Sequence, residues 1–124
     1  MIHIDTHAAL WLYEGLLDKF ANDGKHLLEE NEIKISAAVI LELEFLYEIK
    51  RTKVTAKKII DELHKEISLQ ISESKFVNIA EKALDLTWTR DPFDRLIVAD
   101  AMLDNAPLLT KDRVILKKYS LAVW

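Results

Sequence analysis

Short apolar runs alternate along the chain with longer stretches in which apolar residues recur every three or four positions. The short runs read as strands at residues 2–5, 33–36, 67–71, 107–109 and 121–124. The longer stretches read as helices at 6–13, 18–31, 38–51, 55–66, 73–86 and 91–105, with a helical turn at 114–118. In the helix at 55–66, Ile59, Ile60 and Leu63 share one face. In the helix at 73–86, the pattern turns Phe76, Val77, Ala80 and Leu84 inward. Strands separated by helices imply parallel pairing through right-handed crossovers. The expected fold is α/β, a three-layer α/β/α sandwich around a short, mostly parallel sheet. Residues 1–124 read as a single domain, with no repeat or linker. In such folds ligands gather beyond the carboxyl ends of the strands.

Composition narrows the chemistry. Half of the 124 residues are hydrophobic and 31% are charged, which suits a globular chain rather than a disordered one. Cysteine is absent, which excludes disulfides, thiolate metal sites and a cysteine nucleophile. With only Gly15 and Gly24, no glycine-rich phosphate loop can form. No apolar run reaches the roughly 18 residues of a membrane helix, and the first residues lack the basic stretch of a secretory signal. A soluble cytoplasmic protein is expected. The net charge of −4 argues against bulk electrostatic binding of nucleic acid, although the basic runs 50–58 and 111–118 read either as contacts for a nucleic-acid backbone or as solvated helix surface.

Against this background several carboxylates stand out. Asp5 ends the first strand and begins a helix, where an N-cap is the plainest role. Glu42 lies about 200° around its helix from Glu44, away from the polar stripe of Glu44, Glu48 and Arg51. A carboxylate on that apolar side needs a cation or hydrogen-bond donors. Asp91 and Pro92 form a helix start, with Asp94 in the first turn and Asp100 further along. Asp112 follows the strand at 107–109. If the strands are parallel, Asp5, Glu42, Asp94 and Asp112 converge on one sheet edge. Clustered carboxylates repel one another and call for a divalent cation, and oxygen-only ligands suit Mg²⁺ or Mn²⁺. Thr110 can hydrogen-bond an acid or a water, and Arg95 can meet a phosphate or an acid. The four histidines have no ligand-pair spacing, and the tryptophans read as core or interface rather than base-stacking platforms.

The segments IDTHAALW (4–11), SAAVILELEF (36–45), RDPFDRLIVADA (90–101) and PLLTKD (107–112) resemble, in order, those of PIN-domain ribonucleases. The likeness is strongest to the toxin subunits of VapBC-type toxin–antitoxin pairs. The resemblance implies a metal-dependent endoribonuclease whose acidic quartet is Asp5, Glu42, Asp94 and Asp112, with Asp91 nearby. It implies Mg²⁺ or Mn²⁺, an RNA substrate, a cognate antitoxin and a homodimer. Asp100 departs from the Gln that many relatives carry there, and glycine is sparse after the Glu42 helix. Two other readings are a PIN-like scaffold that binds RNA or protein without cutting, and a different Mg²⁺ phosphohydrolase. The dehalogenase form of the latter needs a second Asp where this chain has His7.

Overall fold

The computed structural model describes residues 1–124. In chain order the elements are β1 (Ile2–Ile4), α1 (Thr6–Glu14), a 3₁₀ turn (Leu17–Lys19), α2 (Asn22–Glu30), β2 (Ile33–Ile35), α3 (Ala37–Glu48) and α4 (Ala56–Ile67). They continue with β3 (Gln70–Ile71), α5 (Phe76–Ala83), α6 (Pro92–Leu103), β4 (Leu108–Leu109), α7 (Arg113–Lys118) and β5 (Ala122–Val123). The five strands form one sheet in the order β3-β2-β1-β4-β5, and every pairing is parallel. The fold is the expected three-layer α/β/α sandwich.

Side chains alternate across a strand, so the register assigns each one to a layer. Ile2 pairs with Ile33 and Ile4 with Leu109, which puts these residues on one face. His3 pairs with both Lys34 and Leu108, and Lys34 with Gln70, which builds the other face. Helix α6 lies over this second face, because its Asp104 bonds His3 and its Asp100 accepts from Ser72, two residues beyond Gln70. Helix α2 lies over the first face. There Gly24 leaves so little room that an added Cβ would meet Leu109 Cδ1 at 2.9 Å and the Trp124 carbonyl carbon at 3.1 Å. Alanine in a helix normally gains about 1 kcal/mol over glycine. Here Leu109 is fully buried and cannot swing aside. Gly24→Ala is therefore expected to destabilise by ~1–2 kcal/mol, as overpacking does, and urea unfolding measures it.

Some boundaries differ from the sequence reading. The helix expected at 18–31 is broken, because Phe20 adopts an extended backbone and buries its ring against Trp11 and Trp124. The strand expected at 67–71 shrinks to Gln70–Ile71, since α4 runs through Ile67 and ends at Ser68 with φ of 56°. The buried face of the 73–86 helix is also different. Helix α5 buries Ile79 and Ala83 and leaves Phe76, Val77 and Leu84 in solvent. Its apolar residues serve two faces, only one of which packs on α6, so periodicity alone misassigns it. Glu44 is not free surface either: it accepts from the Ala56 amide and so holds the start of α4.

Candidate acidic site

The carboxyl ends of β1 and β4 and the amino ends of three helices meet at one cavity of about 470 Å³. Asp5, Glu42, Asp91, Asp94 and Asp112 line it, together with Thr6, His7, Trp11, Ile97 and Lys111. The structure thus brings together all four acids of the expected quartet and adds Asp91. Alternation along the strands explains the convergence. Asp5 continues the His3 side of β1, and Thr110 continues the Leu108 side of β4, so both point towards α6, which carries Asp94.

Capping and clustering coexist at these acids. Asp5 Oδ1 accepts from the Ala8 amide at 2.9 Å, capping α1, while its Oδ2 accepts from the Thr110 hydroxyl at 2.5 Å. Thr110 Oγ1 in turn accepts from the Asp112 amide at 3.1 Å, so one hydroxyl ties two acidic positions together. Asp112 caps α7 through Oδ1, which accepts from the Val114 and Ile115 amides, each at 2.9 Å. Asp91 caps α6 through the Phe93 and Asp94 amides. Glu42 accepts from the Thr6 hydroxyl. The Asp94 carboxyl receives no hydrogen bond, and none of the five acids takes part in the ion pairs of the protein.

The electrostatic cost falls on the pKa values of these groups. Burial pushes the Asp94 carboxyl up to about 7, and the surrounding Asp91, Asp112, Glu42 and Asp5 add to that rise. Burial also raises Asp5 and Glu42, against the lowering effect of the Thr110 and Thr6 hydroxyls respectively. A cavity of oxygen donors that resist full ionisation is matched to a hard divalent cation, whose charge removes the repulsion.

Other residues weighed in the sequence fall elsewhere. Arg95 donates from Nε to the Thr89 carbonyl at 2.8 Å, so it braces the loop before α6 rather than facing the cavity. Asp100 is fully buried and bonded to Ser72, outside the cavity lining. With His3 and Asp104 it forms a second group, whose oxygen and nitrogen atoms lie within 4.8 Å of one another. Asp104 there is held by His3 Nε2 at 2.7 Å and Lys34 at 3.6 Å, which keep its carboxyl below the usual range. Thr6, His7 and Trp11 were not singled out for the site by the sequence, and Lys111 was weighed only as part of the basic run 111–118. Thr6 and His7 had one usable signal, their position immediately after Asp5.

These features define a class: an all-parallel α/β/α domain with an acidic, oxygen-donor cavity at the carboxyl ends of its central strands. The chain belongs to the PIN domain family, whose model matches residues 2–121. PIN domains are generally nucleases. Among the solved structures that share the fold are two toxin–antitoxin assemblies. One is VapBC2 from Rickettsia felis bound to a DNA fragment from its promoter, at 22% identity and a TM-score of 0.67, covering 100% of this chain and 98% of that one. The other is a toxin–antitoxin complex from Klebsiella pneumoniae, at 18% identity and a TM-score of 0.68, covering 100% of this chain and 97% of that one. A search of curated proteins finds no match.

Proposed function

We propose that the protein is a metal-dependent endoribonuclease that hydrolyses RNA phosphodiesters and acts as the toxin of a type II toxin–antitoxin pair. The observation that carries this reading is the unpaired acidic cavity, in which Asp94 is pushed up to about 7 by burial and by four neighbouring acids. Asp5, Asp94 and Asp112 would hold Mg²⁺ or Mn²⁺, with Glu42 completing the set. When bound, the ion supplies Lewis-acid polarisation of the phosphodiester and a lowered pKa for water.

The chain's own groups do the rest. The Thr110 hydroxyl fixes the Asp5 carboxylate and positions the Asp112 backbone. The Thr6 hydroxyl holds Glu42 towards the cavity, where its carboxylate would orient an attacking water or take its proton. The partner half of the reading is supported by the two solved toxin–antitoxin complexes of like fold. It is also supported by exposed apolar side chains on α3 and α5, including Leu41, Phe45, Phe76 and Leu84. These give surface for an antitoxin and for a homodimer. No helix is long and apolar enough to cross a membrane.

The test is incubation of total tRNA and rRNA with purified protein in Mg²⁺, Mn²⁺ or EDTA. Discrete fragments carrying 5′-phosphates, lost in EDTA, are expected. Intact RNA after incubation with folded, Mn²⁺-loaded protein free of antitoxin would favour a scaffold that does not cut.

A further inference from the structure

Further along α6 from the acidic cavity, on the same face of the sheet, lies a group of side chains that the proposed reaction does not use. His3 rises from β1, and Asp100 and Asp104 come down one turn apart from α6 and its C-cap. One nitrogen or oxygen atom of each lies within 4.8 Å of those of the other two. His3 and Asp100 are fully buried, and Asp104 sits at the rim beside Lys34. None of the three lines the acidic cavity.

Hydrogen bonding leaves this group incomplete. His3 Nε2 donates to Asp104 Oδ2 at 2.7 Å, and the Ser72 hydroxyl donates to Asp100 Oδ1 at 2.8 Å. His3 Nδ1 and Asp100 Oδ2 have no partner, and they are the two buried side-chain nitrogen or oxygen atoms of the protein in that state. A neutral ring that donates from Nε2 carries a lone pair on Nδ1. Two buried lone-pair atoms that meet no donor are costly, and a cation answers both. Charge points the same way. Lys34, 3.6 Å from Asp104, is the one lysine or arginine paired with either carboxylate, and Asp100 has none.

The donor set selects the cation. An imidazole nitrogen with two carboxylates suits Zn²⁺ and its neighbours in the first transition row, whereas Mg²⁺ takes oxygen. His3 Nε2 and Asp104 Oδ2, 2.7 Å apart, are already near the roughly 3 Å that separates adjacent ligands of a zinc ion. The ion takes the place of the proton between them. The way in is the rim, where Lys34 and Asp104 keep 22% and 23% of their side-chain surface exposed. Lys34 also lines a cavity of about 510 Å³ at the sheet edge with Gln70 and Glu73, and its ammonium can turn there as an ion arrives.

We infer that His3, Asp100 and Asp104 form a binding site for Zn²⁺ or a transition-metal ion of like preference, separate from the acidic cavity, which ties α6 to β1. The inference stands whether or not the protein cuts RNA. Ser72 positions Asp100, and Lys34 competes with the ion for Asp104.

Zn²⁺ titration of metal-free protein, read through the ¹⁵N resonances of the imidazoles, tests this. Stoichiometric Zn²⁺ is expected to shift the ring nitrogens of His3 and to leave those of His26, exposed on α2 across the sheet, in place. The same shift is expected in Asp94→Asn, in which the acidic cavity is weakened, and Mg²⁺ should not produce it. Calorimetry on that Asp94→Asn background should give one Zn²⁺ site. Its affinity should fall at least about tenfold on adding Asp104→Asn or Asp100→Asn. Both amides keep an acceptor for the His3 or Ser72 hydrogen bond, so the fold is retained. Lys34→Gln should tighten binding about two- to fivefold by removing the competing cation. His3 nitrogens that stay put in folded wild-type protein at about tenfold excess of Zn²⁺ would overturn the site. So would a shift confined to His7 and lost in Asp94→Asn, which puts the ion in the acidic cavity. Neither result bears on RNA cleavage, so the two readings fail separately.

Discussion

Asp94→Asn is expected to reduce metal-dependent RNA cleavage by at least about 100-fold while leaving the fold intact and, without metal, making it more stable. Asp94 is the acid on which the others act most strongly: Asp91, Asp112, Glu42 and Asp5 all raise its pKa. In the proposed mechanism, removing its charge removes an anionic oxygen ligand, and losses of two or more orders of magnitude follow when a metal's electrostatic contribution is weakened. The amide is nearly isosteric and receives no hydrogen bond that it could lose. A half-buried acid held near neutrality costs the folded state ~1–3 kcal/mol at pH 8 once solvent screening is allowed for. The amide avoids that cost. Cleavage rates in Mn²⁺ and urea unfolding in EDTA measure the two effects. A variant that cuts at the wild-type rate would remove Asp94 from the mechanism, and one that is less stable at pH 8 would contradict the electrostatic account.

Metal-free protein is expected to lose ~1–3 kcal/mol of stability between pH 5 and pH 8, and saturating Mn²⁺ to reverse the trend. The sign follows from the direction of the shifts. Asp5, Glu42 and Asp94 have folded pKa values above their ordinary ones, and Asp94 lies at about 7. Over this window the native state binds more protons than the unfolded state, so stability falls as pH rises, until Asp94 is ionised. Asp104 acts in the opposite sense. Its lowered pKa gives stability that is present above about 3.8 and is lost as pH falls further. Metal-free stability should therefore be greatest in mildly acid solution. A cation binding the ionised cavity at a hundred times its dissociation constant adds about 2.7 kcal/mol, which is largest where the acids are charged. Thermal melts across this range, with EDTA or Mn²⁺, give the comparison. Asp94→Asn should flatten the metal-free slope. A slope that rises with pH in EDTA, or an equal Mn²⁺ shift in the variant, would contradict this picture.

Strands and crossovers were legible because β1 and β2 set one polar residue between two isoleucines and β4 is apolar, all in runs too short for helices and separated by amphipathic stretches. Asp5 and Asp112 were legible because they follow such runs, and parallel pairing then forces them to one edge. Glu42 was legible as an acid turned away from its helix's polar stripe. The face of α5 was not, since Phe76, Val77 and Leu84 are as apolar as the Ile79 and Ala83 that pack inward. Only knowing which neighbour covers the helix decides between them. Arg95 and Asp100 were equally opaque. Each has a local structural partner, Thr89 and Ser72, whose proximity depends on the course of a loop. Lys111 was legible only as one lysine of the basic run 111–118, because what sets it apart lies in two rings remote in sequence, Trp11 and Trp124.

Helix α6 meets strand β1 at both ends: Asp94 shares the cavity with Asp5, and Asp104 bonds His3. Strand and helix therefore work as the two arms of a caliper, with the His3–Asp104 bond as the pivot. Repulsion between Asp5 and Asp94 tries to spread the jaws, and the pivot, bonded at 2.7 Å, resists it. A slack pivot, as in Asp104→Ala, would let the two acids move apart without touching either of them.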